Sequence, residues 1–517
     1  MIHPNAGKLT NAPIDIKKLT DDFYNPKDIK PVKFGTSGHR GKLGSGFCIL
    51  HTKAIAQAVS KYHKEKNITG PILLGGDTRL MSKDTAEVCA QVLTANGHNV
   101  ILAEYPLPTP VFSFFVIKGI ASASLNGTAS HNPPEDMGLK YNPESGGPAP
   151  AEITCIIEKY ANYYIQNPSD IKSIPIEKAK ESGLVTQMDL ITPYVNALAK
   201  VIDFETIKKS AVKLAVHPLG GATIAYFEKI KSEYLPDLEI IDKTVDPTFK
   251  FVPLDYDGKI RMDPSSPYPL KEVLNLAIKS NYDVTGVCDP DADRFGIITK
   301  KGGLIAPNNA LSVMLYYLLT NRDNFPDSLR AARSIGTTHL IDKICAGFGR
   351  NVTETNVGFK NFTQGILNGE FILAGEESAG VSIFDWVTEK DGILAVMLAF
   401  EITAKTGKDI SQIYDEITKK YANPVYKRKD LPASEEVKKH LQSLTEEKLS
   451  SVKTVANESV TKIRIGDGIK IYLEDSWFLV RPSGTEPKIK LYGESFRGES
   501  QLEKVLKEGI EILELKI

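Results

Sequence analysis

The sequence predicts an α/β protein whose mostly parallel sheets lie between helices, and three observations predict it. Short apolar strands alternate with amphipathic helices along most of the chain. This alternation occurs in three separate blocks, without the short fixed period of a repeat protein. A tail of alternating strands with glycine turns follows the third block. Because 517 residues are too many for one ordinary core, we expect several domains.

The first block shows the alternation most clearly. A strand at 71–76 leads to a helix at 83–97 that ends in glycine, and a second strand follows at 99–104. The segments "VFSFFVIKG" and "IASASL" then predict another helix and another strand. The first thirty or so residues are polar and rich in proline and asparagine, so we expect them to pack loosely.

The second block repeats this pattern between 212 and 289. The segment 212–221 predicts a strand and a glycine-rich turn, and a helix follows at 222–234. A further helix at 271–281 precedes the strand 283–289, "DVTGVCD". Both strands are apolar enough to be buried.

The third block and the tail complete the chain. "ARSIGTT", "LIDKICAGFG", "NVTETN" and "EFILAG" predict strand, helix, strand and strand. A meander of strands is predicted over 460–494 and an amphipathic helix over 499–517. We expect the stretch 421–434 to be the linker into the tail. The predicted division is an N-terminal extension and four domains, 1–30, 31–187, 188–304, 305–422 and 423–517.

Composition and charge exclude several classes of protein. The net charge is −1, from 63 basic and 64 acidic residues, whereas a nucleic-acid-binding protein normally has a basic excess. The five cysteines form no CxxC pair, which argues against a disulfide framework and a cysteine metal site. No run is apolar enough for a signal peptide or a membrane span. We therefore expect a cytoplasmic protein without nucleic-acid or membrane partners.

The loop "GTASHNPPED" places Ser130 directly before His131. Side chains of neighbours in an extended loop point apart, so we expect no hydrogen-bonded pair of the serine-hydrolase kind. The glycines of a nucleophile elbow are also missing around Ser130. We expect an exposed serine hydroxyl with Lys140 ten residues further on, and a merely structural serine in a polar turn is the alternative.

Three aspartates at alternate positions, Asp289, Asp291 and Asp293, follow a predicted buried strand. Packing like charges closely is unfavourable unless a cation binds among them. An EF-hand loop is excluded, because Arg294 and Lys300 stand where it needs Gly and Glu. An all-carboxylate set favours a hard ion, so we predict one Mg²⁺ with a further oxygen from phosphate. An acidic surface turn is the alternative.

Three further loops have the composition of ligand-binding loops. In "GEESAG", Glu376 and Ser378 would suit vicinal sugar hydroxyls, although a helix-capping turn fits equally well. Lys360 lies upstream in "VGFK". "RPSGTEPK" and "GTSGHRG" have the composition of anion-binding loops, and a plain hairpin turn is the alternative for the first. Their candidate residues are Arg481, Ser483, Gly484 and Thr485, and Thr36, Ser37, His39 and Arg40.

Together these loops indicate phosphoryl transfer to and from a phosphorylated sugar, with Ser130 as the phosphate carrier. "GTSGHRG", "TASHNP", "DPDADR", "GEESAG" and "RPSGTEP" also occur in the order seen in the α-D-phosphohexomutase superfamily. From about residue 30 to its end the chain resembles this superfamily, and most of all its bacterial glucose-phosphate branch. The resemblance implies a four-domain, heart-shaped molecule, in which three related α/β mixed-sheet domains and a smaller C-terminal α+β domain surround a deep cleft.

The resemblance also implies a role for each matching residue. The phosphoserine Ser130 would bind the metal together with Asp289, Asp291 and Asp293. The serine, metal, sugar and phosphate loops would fall in successive domains. Further catalytic residues would be His131, Lys140, Arg40 and Lys360, and the substrate-binding residues would be Thr36, Ser37, Arg294, Glu376, Ser378, Arg481, Ser483, Gly484 and Thr485.

The activity implied by the resemblance is that of an intramolecular phosphotransferase of the isomerase class. It would interconvert α-D-glucose 1-phosphate and glucose 6-phosphate, with glucose 1,6-bisphosphate as intermediate and activator. Such an enzyme would be a monomer or a homodimer. The alternatives are a mannose- or glucosamine-phosphate mutase of the same superfamily and, more remotely, a non-catalytic sugar-phosphate-binding protein.

Overall fold

The structure is a computed structural model that describes residues 2–322, 325–483 and 487–515. The chain forms two compact units. The first comprises Met1–Ala310, Gly358–Ala374 and Ser378–Gln412, and the second comprises Leu311–Val357, Gly375–Glu377 and Ile413–Ile517. Among the described helices, none has both the length and the apolar character needed to cross a membrane.

A six-stranded mixed sheet with flanking helices opens the first unit. Its strand order is β1-β5-β4-β2-β3-β6; β2 runs parallel to β3 and β4, and β5 runs antiparallel to β4. The strands are β1 His39–Lys42, β2 Ile72–Gly76, β3 Val100–Leu102, β4 Ala123–Gly127, β5 Asp136–Asn142 and β6 Val185–Thr186. The helices are α1 Ile16–Tyr24, α2 Ile49–Lys66, α3 Ser82–Ala95, α4 Thr109–Ile117, α5 Ala151–Gln166 and α6 Ile176–Glu181.

A five-stranded mixed sheet follows in the same unit, with strand order β11-β10-β9-β7-β8. Its strands are β7 Leu214–His217, β8 Glu239–Ile240, β9 Val284–Cys288, β10 Phe295–Thr299 and β11 Gly303–Leu304. The accompanying helices are α7 Thr192–Leu198, α8 Phe204–Lys209, α9 Ile224–Glu233 and α10 Lys271–Lys279. Strands β9 and β10 are antiparallel neighbours, so the aspartate loop is the short connection between them.

The third block contains strands β12 Arg330–Ser334, β13 Val352–Thr355, β14 Phe371–Glu376 and β15 Gly380–Ile383. Its helices are α11 Pro307–Asn321, α12 Leu340–Gly347, α13 Thr363–Leu367, α14 Gly392–Thr406 and α15 Ile410–Tyr421. β12 and β13 pair in parallel, as the alternating pattern predicts. Helix α14 is buried over most of its length, and the Asp391 side chain caps its start by accepting from Leu394 N–H.

The tail folds as a six-stranded sheet of order β16-β21-β20-β19-β18-β17, in which every pairing is antiparallel. The strands are β16 Val425–Pro432, β17 Thr454–Val455, β18 Glu458–Ile465, β19 Ile469–Leu473, β20 Ser476–Pro482 and β21 Lys488–Ser495. The helices are α16 Glu435–Ser443, α17 Glu446–Leu449 and α18 Glu499–Ile512. The predicted meander and closing helix are confirmed.

Two expectations from the sequence are wrong. The stretch 421–434 is not simply a linker, because it contains β16, which pairs with β21 from Val425 to Pro432. The N-terminal residues are not uniformly loose either. Phe23 of α1 is fully buried in the core of the first sheet, since this amphipathic turn covers apolar surface that would otherwise face water.

Gly286 of β9 provides a test of how closely this sheet packs against α14. A methyl group added there would lie 2.0 Å from Cγ1 of Val396, so Gly286→Ala should destabilise the protein by roughly 1–3 kcal/mol through overpacking. The measurement is urea unfolding of the single variants and of Gly286→Ala/Val396→Ala. The double variant should recover part of the loss. Strictly additive effects would contradict the contact.

Candidate active site

The loop between β4 and β5 carries Ser130, whose backbone φ of 56° lies in the left-handed region. Its hydroxyl donates to Oδ2 of Asp289 at 2.8 Å and lies 3.2 Å from Nδ1 of His131. The prediction that the Ser130 and His131 side chains point apart is therefore wrong, because the left-handed turn brings them together. The expected exposure of the serine is wrong as well, since Ser130 is only 1% exposed.

The contact between Ser130 and His131 is not the nucleophile–base pair of a serine hydrolase. The serine proton is directed to Asp289, so His131 does not accept it. Burial and then the positive charge of Arg294 hold the pKa of His131 well below its ordinary value, which keeps the imidazole neutral. A neutral Nδ1–H can donate to the serine oxygen instead, and the pair then supports that oxygen as an acceptor.

The three aspartates form one buried cluster, as predicted, with carboxylate oxygens within 4.8 Å of one another. They occupy the connection from β9 to β10, where Arg294 N–H donates to Oδ1 of Asp289 at 3.0 Å. Oδ2 of Asp291 accepts from Thr109 Oγ1 at 2.7 Å. The cluster therefore receives hydrogen bonds from its own turn and from the start of α4.

Lys140 of β5 supplies the nearest positive charge. Its Nζ lies 2.6 Å from Asp291 Oδ2 and 2.9 Å from Asp293 Oδ2, and its side chain is 2% exposed. Burial alone would lower the pKa of Lys140, but the two carboxylates outweigh it and raise this pKa above its ordinary value. Lys140 is therefore held as a cation.

The same charges separate the aspartates from one another. Burial, and then the charges of Asp291 and Asp293, raise the pKa of Asp289 well above its ordinary value. Burial would also raise the pKa of Asp293, but Lys140 and Lys390 outweigh it and hold this pKa well below the ordinary value. The nearby lysines do not fully compensate the negative charge of three buried carboxylates. The raised pKa that results is that of Asp289, the aspartate next to Ser130.

The cluster fits a divalent metal ion. Within the described chain, Oδ1 of Asp291 and Oδ1 of Asp293 are buried and make no hydrogen bond. Such oxygens are costly to bury unless a cation binds them. The donor set contains only oxygen, which suits a hard ion of the Mg²⁺ or Ca²⁺ type. The three aspartates therefore form a site suited to a divalent cation.

Lys390, which the sequence reasoning missed, belongs to this site. Its Nζ lies 3.3 Å from Oδ2 of Asp293, and its side chain is 11% exposed. The only signal in the sequence is its place in "TEKDG", directly before the Asp391 cap of α14. Thr109, a second missed residue, donates to Asp291 from the first turn of α4.

The "GTSGHRG" loop leads into β1, which pairs with β5 beside the serine loop. Arg40 lies opposite Gly138, and a methyl group on Gly38 would lie 2.6 Å from the Leu139 carbonyl oxygen, so only glycine fits there. Thr36 is exposed and Ser37 is half-buried. His39 is buried with Nδ1 against the Lys33 backbone, which is a structural role.

Of the predicted residues in the first unit, the structure brings Ser130, His131, Lys140, Arg294 and the three aspartates together. Lys360, in the 3₁₀ turn Phe359–Asn361, and Ser378 are half-buried, and their part in the site stays a prediction.

In the second unit, Glu376 ends β14 and is buried. Its neighbour Glu377 accepts from Ser334 Oγ at 2.7 Å and from Thr337 Oγ1 at 3.2 Å. These bonds fix the loop in which Glu376 was predicted to bind a sugar.

Positively charged side chains lie close together where β20 ends and β21 begins. Arg481 pairs in register with Lys490, and Ser483 N–H donates to the Lys488 carbonyl at 2.9 Å. Burial, and then the charge of Arg428, lower the pKa of Lys490 to about 8. This cationic environment is suited to an anion. The predicted residues Gly484 and Thr485 lie outside the described part of the chain.

Family profiles of phosphoglucomutase/phosphomannomutase match nearly the whole chain. The α/β/α domains I, II and III match residues 31–167, 192–303 and 306–421, and the C-terminal domain matches 427–512. The four-domain α/β architecture predicted from the sequence is thereby confirmed.

Individual relatives agree. A phosphoglucomutase of Komagataeibacter xylinus is 38% identical, with 98% of this chain and 96% of the relative covered. Phosphoglucomutase 1 of Drosophila melanogaster is 28% identical, with 94% of each covered. The Paramecium phosphoprotein pp63/parafusin, a phosphoglucomutase, shares the fold with a TM-score of 0.76 at 22% identity, covering 94% of this chain and 96% of that one.

Metal binding can be tested without any assay of activity. Adding Mg²⁺ or Mn²⁺ should raise the melting temperature, because an ion at a hundred times its Kd stabilises the folded state by about 2.7 kcal/mol. Asp291→Asn should remove this response. The control is Asp391→Asn, a buried aspartate outside the cluster, which should melt at a lower temperature but keep the metal-induced shift. An unchanged response in Asp291→Asn would contradict the site.

Proposed function

This chain belongs to the phosphoglucomutase/phosphomannomutase family, and we propose that it is a phosphoglucomutase, an intramolecular phosphotransferase of the isomerase class. The observation that carries the proposal is the serine hydroxyl 2.8 Å from a buried cluster of three carboxylates. A nucleophile beside a site for a divalent cation is what phosphoryl transfer requires. The relative at 38% identity, a phosphoglucomutase, supports glucose phosphates as the substrate class.

In the proposed cycle, Ser130 carries the phosphoryl group between turnovers. The bond from phosphorus to Ser130 Oγ breaks as a bond from phosphorus to the free sugar hydroxyl oxygen forms. The leaving Oγ takes a proton from the acid/base side chain, which then takes the proton of the sugar hydroxyl. The product is glucose 1,6-bisphosphate, which turns end for end and returns its other phosphate to Oγ. One Mg²⁺ per chain, held by Asp289, Asp291, Asp293 and the serine phosphate, would supply charge neutralisation on the transferring group.

The residues around Ser130 have separate proposed tasks. Lys140, which its two carboxylate partners hold as a cation, would stabilise negative charge and donate its proton to the leaving oxygen before it accepts that of the sugar hydroxyl, with Arg40 as the other acid/base candidate. His131 would support the serine oxygen through Nδ1. Arg294, together with Lys360, would bind phosphate oxygens.

The sugar and its distal phosphate would be held by residues far along the chain. Glu376 and Ser378 supply the acceptor and donor groups that vicinal hydroxyls need. Arg481, Ser483, Gly484 and Thr485 would bind the phosphate that is not reacting, and Thr36 and Ser37 would add hydroxyl contacts near Arg40. The positive charge around Lys490 supports an anion site in the tail.

Glucose phosphates are preferred over mannose and glucosamine phosphates on the likeness of the whole chain to phosphoglucomutases. A non-catalytic sugar-phosphate-binding protein is disfavoured, because this chain keeps Ser130, all three aspartates and the buried contacts between them. We propose a cytoplasmic enzyme that acts as a monomer or a homodimer.

Ser130→Ala tests the phosphate carrier. Turnover of glucose 1-phosphate should fall by roughly 10⁴-fold or more, because no other group can replace a covalent carrier. Intact mass spectrometry should show one phosphoryl group on the parent, after incubation with the bisphosphate, and none on the variant. Ser122→Ala, which removes a hydroxyl that bonds among the described residues to the carbonyls of Gly70 and Pro71 alone, serves as the control. Turnover in Ser130→Ala equal to the parent's would exclude this carrier.

A coupled assay tests the substrate and the intermediate. The dephosphorylated enzyme should be nearly inactive with glucose 1-phosphate alone and become active when glucose 1,6-bisphosphate is added. Comparison of kcat/KM for the glucose, mannose and glucosamine phosphates should favour glucose. A clear preference for glucosamine 6-phosphate would assign the chain to another activity of the family.

A further inference from the structure

Arg79 contacts the serine loop through its guanidinium nitrogens. It follows β2 in "GGDTRL", and its side chain is fully buried. Its guanidinium donates to Ser130 O through Nε at 3.2 Å, and to Pro133 O and Asp136 O at 2.9 and 3.2 Å. It also donates to Asn132 O. One side chain therefore holds four carbonyl oxygens of a single loop.

Asp77 holds the backbone N–H of Ser130 through the side chain of Thr128. Oδ1 of Asp77 accepts from the backbone N–H of Arg79 at 3.0 Å, and Oδ2 accepts from Thr128 Oγ1 at 2.6 Å. Thr128 Oγ1 in turn accepts from Ser130 N–H at 2.8 Å. Both the N–H and the C=O of Ser130 are thus tied to the Asp77–Arg79 pair.

These bonds impose a conformation that serine does not readily adopt. A left-handed backbone is unfavourable for a residue other than glycine, and it persists only where the surroundings enforce it. At Ser130 this conformation places Oγ against Asp289. A lysine could not replace Arg79, because three donors on one atom cannot reach carbonyls that a planar fork of five N–H groups spans.

Arg79 also lies between the two sheets of the first unit. Its guanidinium carbon is 5.6 Å from the ring centre of the buried Phe249, and the adjacent Thr78 Oγ1 donates to the Gly220 carbonyl at 2.6 Å. Gly220 follows β7, which pairs in parallel with β9, the strand that leads to the aspartates, and Ala222 N–H donates to the carbonyl of Pro290 in the aspartate loop at 2.8 Å. The segment that holds the serine loop is therefore anchored on the part of the chain that presents the metal site.

We propose that Arg79, oriented by Asp77, is a positioning residue that fixes the backbone of residues 128–136, so that the Ser130 oxygen stays in line with the aspartate cluster. This inference rests on the proposed function, because it assigns Arg79 to the phosphoryl-transfer step. Arg79 would not contact the sugar, so its loss should affect transfer to and from Ser130 more than substrate binding.

Arg79→Lys is the test, with Arg350→Lys as a matched control. Arg350 also donates to backbone carbonyls, those of Phe325, Pro326 and Leu329, but these belong to the segment before β12. In Arg79→Lys, kcat and the rate of Ser130 phosphorylation by glucose 1,6-bisphosphate should fall by about 100-fold, since small displacements of reacting atoms cost that much. KM should change little. Arg350→Lys should keep the parental kcat.

Hydrogen–deuterium exchange gives a readout that does not depend on activity. Arg79→Lys should exchange faster within 128–136, whereas Arg350→Lys should exchange faster only around 325–331. Parental exchange in 128–136, or parental kcat, in Arg79→Lys would overturn the inference. A parent enzyme without mutase activity would overturn the proposed function instead, and the exchange experiment would still decide whether Arg79 holds the loop.

A milder variant decides the question if Arg79→Lys fails to fold. Thr128→Val keeps the shape of the side chain and removes the hydroxyl that joins Asp77 to Ser130 N–H. It should lower kcat by roughly tenfold or more, because both hydrogen bonds of that hydroxyl are lost, and raise exchange at 128–136. Parental values of both quantities in Thr128→Val would then overturn the inference.

Discussion

The cost of burying negative charge governs this structure. Three carboxylates at the end of β9 lie within 4.8 Å of one another, all of them buried. Such an arrangement is unstable without compensating charge. The protein supplies part of it through Lys140 and Lys390, and two carboxylate oxygens still accept no hydrogen bond in the described chain. The lysines come from β5 and from the segment before α14, so the cluster needs both sheets of the first unit in place.

A second constraint is geometric and concerns the position of the serine loop relative to the aspartates. Ser130 must approach an acidic cluster closely while its own backbone is in a strained, left-handed turn. The bonds that enforce this conformation come from Asp77 and Arg79, which follow a different strand of the sheet. The reactivity proposed for Ser130 therefore depends on two residues that are far from it in sequence and that are not proposed to contact the substrate. This dependence explains why a loop with so much polar backbone can be buried, since its carbonyls and N–H groups have partners.

Local patterns predicted most of the elements, because most strands of the three blocks are short apolar runs and most tail strands alternate. The predictions were wrong where a tertiary contact overrode the preference expected from the local sequence. The stretch 425–432 has four consecutive charged residues and no alternation of apolar and polar positions, and only the pairing with β21 makes it a strand. Phe23 lies in a polar stretch at the beginning of the chain, so the composition there did not indicate that its side chain is buried in the first core. Ser130 and His131 were expected to diverge, because the sequence does not reveal a left-handed backbone at a residue other than glycine.

By itself the sequence determined the fold class, the family, most of the order of the elements, and the choice of Ser130 and the three aspartates as candidate site residues, because residue type and spacing carry this information. Only the tertiary structure decided that Lys390, Thr109 and Arg79 contact this site, that the serine hydroxyl donates to Asp289, and which carboxylate oxygens accept no hydrogen bond within the described residues. The physical reason is that charge compensation and hydrogen bonding depend on distances of a few ångströms between segments far apart in the chain, and no local pattern encodes those distances.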